Sequence, residues 1–301
     1  MFKHILVPLD GSLLAEAALP AAAFLAARFG ARVTLFHVVE RNAPREVHGQ
    51  PHLKNAEDAA TYLHLLSQRA FPTGITVDRH VHAAEADDVA DSIVAHADEL
   101  EHDLVIMCSH GRGQALHLFL GSIAQKAIAL GSRPVLITHP DEQGDAPPFS
   151  CNNILVPLDG APDHAQALPV AKEMARACGA ALHLVRVVPR FASLSGTEKV
   201  SSRMLPATAS RMLEMASLDA GETFRKQLEA LREEGFTASA HVLRGDPAKT
   251  IVKAGSHARV DLIVLATHGK TGMKAFWEGS VAHRICTLTR IPLLLIPLPR
   301  A

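Results

Sequence analysis

The chain alternates short, unbroken apolar runs with longer stretches of mixed polarity. ILVPL at 5–9, VTLFHVV at 33–39, LVIMC at 104–108 and PVLIT at 134–138 are runs of the kind expected of strands buried on both faces. TVDRHVH at 76–82 alternates and predicts a further strand. Between them, residues 13–29, 55–71, 87–101 and 121–130 carry good helix formers. Asp10, Gly11 and Ser12 supply a turn and a helix start, and Gly30 a left-handed stop. Pro20 either kinks the first helix or marks its true first turn. Strands alternating with helices require crossovers and a parallel sheet, with ligands sought where the strands end.

The same pattern is then written again. HILVPLDG (4–11) returns as NILVPLDG (153–160), with Ile5 matching Ile154 at an offset of 149 residues. Pro20 and Pro169, Gly30 and Gly179, and Val38 and Val187 keep that offset. DLVIMCSHG (103–111) returns as DLIVLATHG (261–269) at an offset of 158, which holds through Gly121-Ser122 and Gly279-Ser280. The second copy therefore has a net insertion of nine residues between its second and fourth strands. A period near 150 residues describes two whole domains, 1–140 and 151–301, joined by a linker at 141–150 within PDEQGDAPPFS. The expected fold is α/β, two tandem Rossmann-like domains, each a five-stranded parallel sheet with helices on both faces. The apolar last strands, VLIT and LLLIP, invite pairing with each other.

Composition narrows the function. The 301 residues have 48% apolar and 20% charged positions and a formal net charge of −1, which fits a globular chain and not a nucleic-acid coat. The longest stretch without a polar residue, Ala17 to Ala27, is too short for a membrane span, and the N-terminus lacks the form of a secretory signal. Cys108, Cys151, Cys178 and Cys286 show no CxxC, so reduced thiols and a cytoplasmic location are expected. The 18 histidines include His80 and His82 on one strand face, and His48 and His52 in a segment broken by Gly49 and Pro51. No HExxH or CxxC accompanies them, and no metal site is expected. Cys108 is a candidate redox thiol, but its apolar neighbours favour a buried one.

The strand ends carry the chemistry. Asp10 and Asp159 follow strand one, offering a carboxylate to a ribose or base, or a cap to the first helix. After strand four come SHGRGQALHLFLGSIAQK (109–126) and THGKTGMKAFWEGSVAHR (267–284): glycine, nine residues, then Gly-Ser opening a helix. Such a start offers amide N–H groups and the positive end of the helix dipole to an anion. The glycines can also be plain turn residues and the serines plain helix caps. VLATHGKT (264–271) is not a P-loop, since Val264 stands where its first glycine is needed. GRGQAL (111–116) lacks the last glycine of a dinucleotide fingerprint and follows the wrong strand. No nucleophile–base–carboxylate set, GxSxG elbow or kinase set is present, so hydrolysis of a bound ligand is expected to be slow or absent.

These residues together resemble the universal stress protein family, over both halves of the chain. The resemblance implies the adenine nucleotide alpha hydrolase-like variant of the fold, and ATP as ligand, with an accompanying Mg ion left open. It places Pro8, Asp10, Val38, Met107, Gly111, Gly121, Ser122 and Ile123 at the nucleotide in the first copy. In the second it places Pro157, Asp159, Val187, Leu265, Ala266, Gly269, Gly279, Ser280 and Val281 there. The first glycine of the family's signature is Cys108 in one copy and Ala266 in the other, and Glu278 stands before Gly279. RGDPAKTIV (244–252) resembles the family's turn after strand three, where the first copy has Ala86-Asp87-Asp88. His110 and His268 precede the signature glycines, as turn stabilisers or nucleotide contacts.

Charge divides the copies. Residues 1–149 hold 11 Lys/Arg and 18 Asp/Glu, and residues 150–301 hold 19 and 13. Lys270 and Lys274 lie inside the second glycine loop and only Arg112 in the first, so the second copy is expected to be the stronger ATP site. The resulting expectation is a cytoplasmic stress-response protein that binds ATP as a regulatory ligand and does not turn it over. The alternatives are a nucleotide-free scaffold acting through protein contacts, and a weak ATPase or nucleotidyl-transfer enzyme. In the resembling family the fifth strands of two domains meet about a two-fold axis, which implies a pseudo-dimer within this chain; a homodimer is also open.

Overall fold

The computed structural model describes residues 1–41, 43–44, 46–47, 50–109, 120–161, 163–189, 206–267 and 280–298. The first copy runs β1 (His4–Pro8), α1 (Leu13–Glu16), α2 (Leu19–Phe29), β2 (Arg32–Glu40), a two-residue ribbon β3 (Glu46–Val47) and β4 (Gln50–Pro51), then α3 (Ala56–Arg69), β5 (Val77–Ala86), α4 (Val89–Glu99), β6 (Leu104–Cys108), α5 (Ser122–Leu130) and β7 (Val135–Thr138). The second runs β8 (Asn153–Pro157), a 3-10 turn at Asp163–Gln166, α6 (Ala167–Cys178), β9 (Ala181–Val188), α7 (Pro206–Glu233), β10 (Ala238–Arg244), α8 (Pro247–His257), β11 (Leu262–Thr267), α9 (Val281–Cys286) and β12 (Leu293–Pro297).

Two compact units result. One comprises, among the described residues, 1–150 with Thr267, Ser280 and 290–298, the other 151–266 with 281–289. Strand order is β5-β2-β1-β6-β7 in the first copy, with β12 antiparallel to β7, and β10-β9-β8-β11 in the second. The short β3–β4 ribbon is also antiparallel; the other ladders of the two copies whose register is resolved are parallel, as the crossovers require. Leu293 faces Ile137 and Leu295 faces Val135.

The apolar runs explain the order. Ile5, Leu6, Val7, Leu104 and Ile106 are fully buried in the middle of the first sheet, and Ile154, Val156, Leu262 and Ile263 in the second. Small residues let helices sit close: Ala21, Ala22 and Ala26 are buried on α2, and Ala167, Ala171 and Ala175 on α6. Pro20 lies in the first turn of α2, so the stretch expected as one helix is α1, a break, and α2. Gly30 and Gly179 close α2 and α6 with φ of 59° and 70°.

At the amino ends of the strands the copies share a device. Asp103 accepts hydrogen bonds from the amides of Lys3 and His4 (2.7 and 3.1 Å), and Asp261 from those of Asn152 and Asn153 (2.7 and 2.9 Å). The aspartate of DLVI and DLIV is therefore a tie to strand one and lies away from the crevice. The register also locates the insertion. Val33 and Leu182 are 149 apart, but their strand-three partners Val77 and Ala238 are 161 apart. The caps Asp88 and Asp246 are 158 apart. Twelve residues are added in the crossover that holds α7, of 28 residues against 14 in α3, and three are lost at the end of strand three. β5 accordingly runs four residues beyond the expected strand, to Ala86.

Candidate functional site

β1 ends at Pro8 and the chain turns through Asp10, Gly11 and Ser12. Asp10 Oδ1 accepts from the Ser12 amide (2.9 Å) and the Ser12 hydroxyl (2.7 Å), while Ser12 itself caps α1 by accepting from the Ala15 amide. The cap is thus Ser12, with Asp10 holding the capping residue in place. Asp159 makes the corresponding turn, accepting from the Ala161 amide at 2.9 Å. Gly11 and Gly160 take φ of 90° and 93°, where a side chain is strained.

Several groups of the first copy share the field of the Asp10 carboxylate. Burial pushes the Cys108 thiol far up, and Asp10 adds to the effect. Burial likewise raises the Tyr62 hydroxyl, with Glu16 and then Asp10 contributing. His37, 2% exposed, donates from Nδ1 to the Leu9 carbonyl at 2.7 Å. Burial lowers its pKa against that bond, so it is neutral at pH 7. In the second copy the offset of 149 puts Arg186 at this position. Its guanidinium carbon lies 2.8 Å from where a Cβ on Gly160 would stand, against the turn after β8, and Arg186 meets Asp219 at 3.8 Å. A fixed cation in one crevice thus replaces a neutral imidazole in the other. The signal was one residue before Val38 and Val187, in plain view once the copies are aligned.

The floor comes from buried strand ends. Met107 and Val38 are buried, as is Leu265, while Val187, Ala266, Pro8 and Pro157 are half-buried. Cys108 is buried with its Sγ 3.6 Å from the Ser109 carbonyl, so the thiol is an inert one. Cys286 is pushed up to about 12 by burial.

α5 begins at Ser122 with Gly121 as its cap, and among the described residues no side chain caps its first-turn amides. Ser122, exposed, is the first helical residue, so the reading of it as a helix cap falls; Ile123 is half-buried beside it. α1, α3 and α4 by contrast are capped by Ser12, Asn55 and Asp88. Amides left without a side-chain acceptor fit an anionic group. Ser280, half-buried, stands directly before α9, whose first residue Val281 is exposed. Gly111, Gly269 and Gly279 lie outside the described residues, as do His48, His110, His268, Arg112, Lys270, Lys274 and Glu278.

One pair of ties was missed from sequence. Asp88 caps α4 and holds Lys126 of α5 at 2.5 Å; Asp246 caps α8 and holds Arg284 of α9 at 2.9 Å. Lys126 and the amides of α4 hold the Asp88 carboxyl below its usual range. Burial works against Asp246, but the Lys249 amide and Arg284 leave it lowered too. Each copy thereby fixes the helix that follows its glycine motif to the turn after strand three. Both acids and both bases keep the 158 offset, which was the available signal.

Two other clusters lie in the first copy. Ser109 Oγ is 2.5 Å from His139 Nδ1, both buried. Burial and then Arg290 depress His139 to about 4, and its Nε2 has no hydrogen-bond partner among the described residues. His80 and His82 of β5 stand 5.1 and 4.9 Å, ring centre to centre, from His96 of α4. Among the described residues no group of three His, Cys, Asp or Glu is arranged to hold a metal ion, and no helix is long and apolar enough to cross a membrane.

The universal stress protein family profile matches residues 1–139 and again 151–297. The chain belongs to the universal stress protein family. It is 29% identical over 149 residues to universal stress protein MJ0531 of Methanocaldococcus jannaschii, covering 49% of this chain and 82% of that one. A universal stress protein of Mycolicibacterium smegmatis is 24% identical over 309 residues, covering 97% of this chain and 96% of its own. Among solved structures, a functionally unknown protein, PA1789 from Pseudomonas aeruginosa, superposes with a TM-score of 0.69 at 19% identity, covering 99% of this chain and 93% of that one. The fold is thus the family's α/β arrangement, repeated twice.

Proposed function

We propose that this tandem universal stress protein binds ATP at the carboxyl ends of its strands and uses it as a regulatory ligand. The observation that carries the reading is the start of α5. A glycine-capped helix offers its first amides with no side-chain cap among the described residues, and the Asp88–Lys126 tie holds that helix in place. Asp10 and Val38, or Asp159 and Val187, would meet ribose and adenine. The phosphates would lie along α5, or α9 in the second copy. Arg186 supports the second crevice as the stronger site, since a polyanion gains from a fixed cation there. When bound, ATP would supply its charge and shape, with an Mg ion if present on the phosphates. The protein's part would be to orient it and to change conformation or partner choice in response.

The protein is proposed not to be an enzyme. Ser109 and His139 are both buried, and a base depressed to about 4 is weak. Location is proposed to be cytoplasmic, in keeping with four scattered cysteines that form no CxxC. Pairing of the two copies into a pseudo-dimer is also proposed, from the apolar character of their last strands, VLIT and LLLIP. The test is to denature the purified full chain and identify the released small molecules by mass spectrometry. Adenine nucleotide at a near-stoichiometric level is expected. Its absence, together with no binding of added labelled ATP at millimolar concentration, would favour the nucleotide-free scaffold. ADP accumulating in step with protein concentration would favour an enzyme.

A further inference from the structure

The insertion in the second copy has made a helix with two apolar faces. At about 100° per residue, Ala220, Phe224 and Leu231 share one side of α7 and are 0%, 5% and 2% exposed. Half-buried Leu213, Ala216 and Ser217 lie on that same side, toward the strands. Met212, Met215 and Leu218 are 67%, 63% and 70% exposed and centre on the opposite side. Three large apolar side chains on a solvent face, one turn apart, are not explained by the fold of this copy.

The charges beside the stripe select its occupant. Arg211 flanks it at one end and Asp219 at the other. Two such helices placed antiparallel about a two-fold axis through Met215 set Met212 against Leu218. The same register sets Arg211 of each chain against Asp219 of the partner subunit, twice by symmetry. A parallel arrangement would instead set Arg211 against Arg211. Asp219 is 75% exposed where it meets Arg186 at 3.8 Å, so it is open to a second cation. We infer that α7 is a self-association surface, and that its occupant is α7 of a second copy of this chain, antiparallel and in register at Met215. Three side chains from each partner bury less than a standard interface, so the dimer is weak and concentration-dependent.

Sedimentation velocity of the full chain, from about 5 to 500 μM, tests this directly. A rise from monomer toward dimer is expected, and Met215→Lys, which sets like charges on the axis, should hold the chain monomeric. Arg211→Glu should weaken association at least threefold, and Arg211→Glu with Asp219→Arg should restore it. Orientation is read by oxidative cross-linking. Met215→Cys should form dimer much faster than Glu222→Cys, whose two copies would lie about 21 Å apart along the helix axis. A wild-type chain monomeric throughout would overturn the proposal. So would a Met215→Lys dimer as strong as wild type, or equal cross-linking at the two positions.

Discussion

The two copies keep the same scaffold and differ at the crevice. Asp10 and Asp159 make the same turn, and Asp88–Lys126 and Asp246–Arg284 make the same tie. Beneath that turn the first copy has a buried neutral His37, and the second has Arg186. At the end of strand four the first has Cys108 and the second Ala266. After strand five the first has His139, bonded to Ser109, where the second has Pro297. The turn, the ties and the Gly-Ser starts are held in both, and the residues beneath the turn and at the ends of strands four and five have diverged. Beside the shared aspartate, one crevice thus has a neutral imidazole and the other a guanidinium.

The largest expected effect that separates the copies is acid sensitivity. His139 is lowered from about 6.5 to about 4 by burial. Its unfolded form binds the extra proton, so stability is full above about pH 6.5 and is lost as pH falls toward 4. The loss from this group is about 3 kcal/mol. His37, also lowered by burial, acts in the same direction. Thermal melts of the full chain from pH 7 to pH 4.5 should show that His139→Gln flattens the acid loss. An unchanged slope would remove this difference between the copies.

Next are the shared ties. Asp88→Ala and Asp246→Ala each remove a helix cap and its ion partner, and should each cost about 1–2 kcal/mol in denaturant melts. Similar losses in the two copies are expected; a loss confined to one would show that the ties are not equivalent. A smaller effect is expected from the crevice cation. Arg186→Gln should weaken ATP binding up to about tenfold, or about 1.4 kcal/mol, in calorimetry at low salt. His37→Gln should change it less. The reverse ranking would assign the tighter crevice to the first copy.

Much of the fold was legible because burial writes itself into sequence. ILVPL and its repeat, LVIMC with its counterpart, and the two Gly stops named strands and helix ends to within a residue or two. The length of β5 was not legible, since its last residues, Ala83 to Ala86, are mostly exposed and carry no apolar signal. The division of the insertion into twelve gained and three lost needs strand register, which composition does not hold. At the site, the position of Asp10 was readable but its partner was not. A capping serine two residues away competes for the same carboxylate. The Lys126 and Arg284 ties join residues 38 apart, a pairing that only the folded chain brings together.

The account turns on which crevice binds nucleotide more tightly. ATP titrated calorimetrically into the full chain, into Gly121→Val and into Gly279→Val decides it. Each valine should block the close approach of phosphate at one Gly-Ser motif. The prediction is that Gly279→Val removes the tighter binding, with affinity falling at least tenfold, and that Gly121→Val leaves it in place. Loss of all binding in Gly121→Val, with Gly279→Val indistinguishable from wild type, would contradict it.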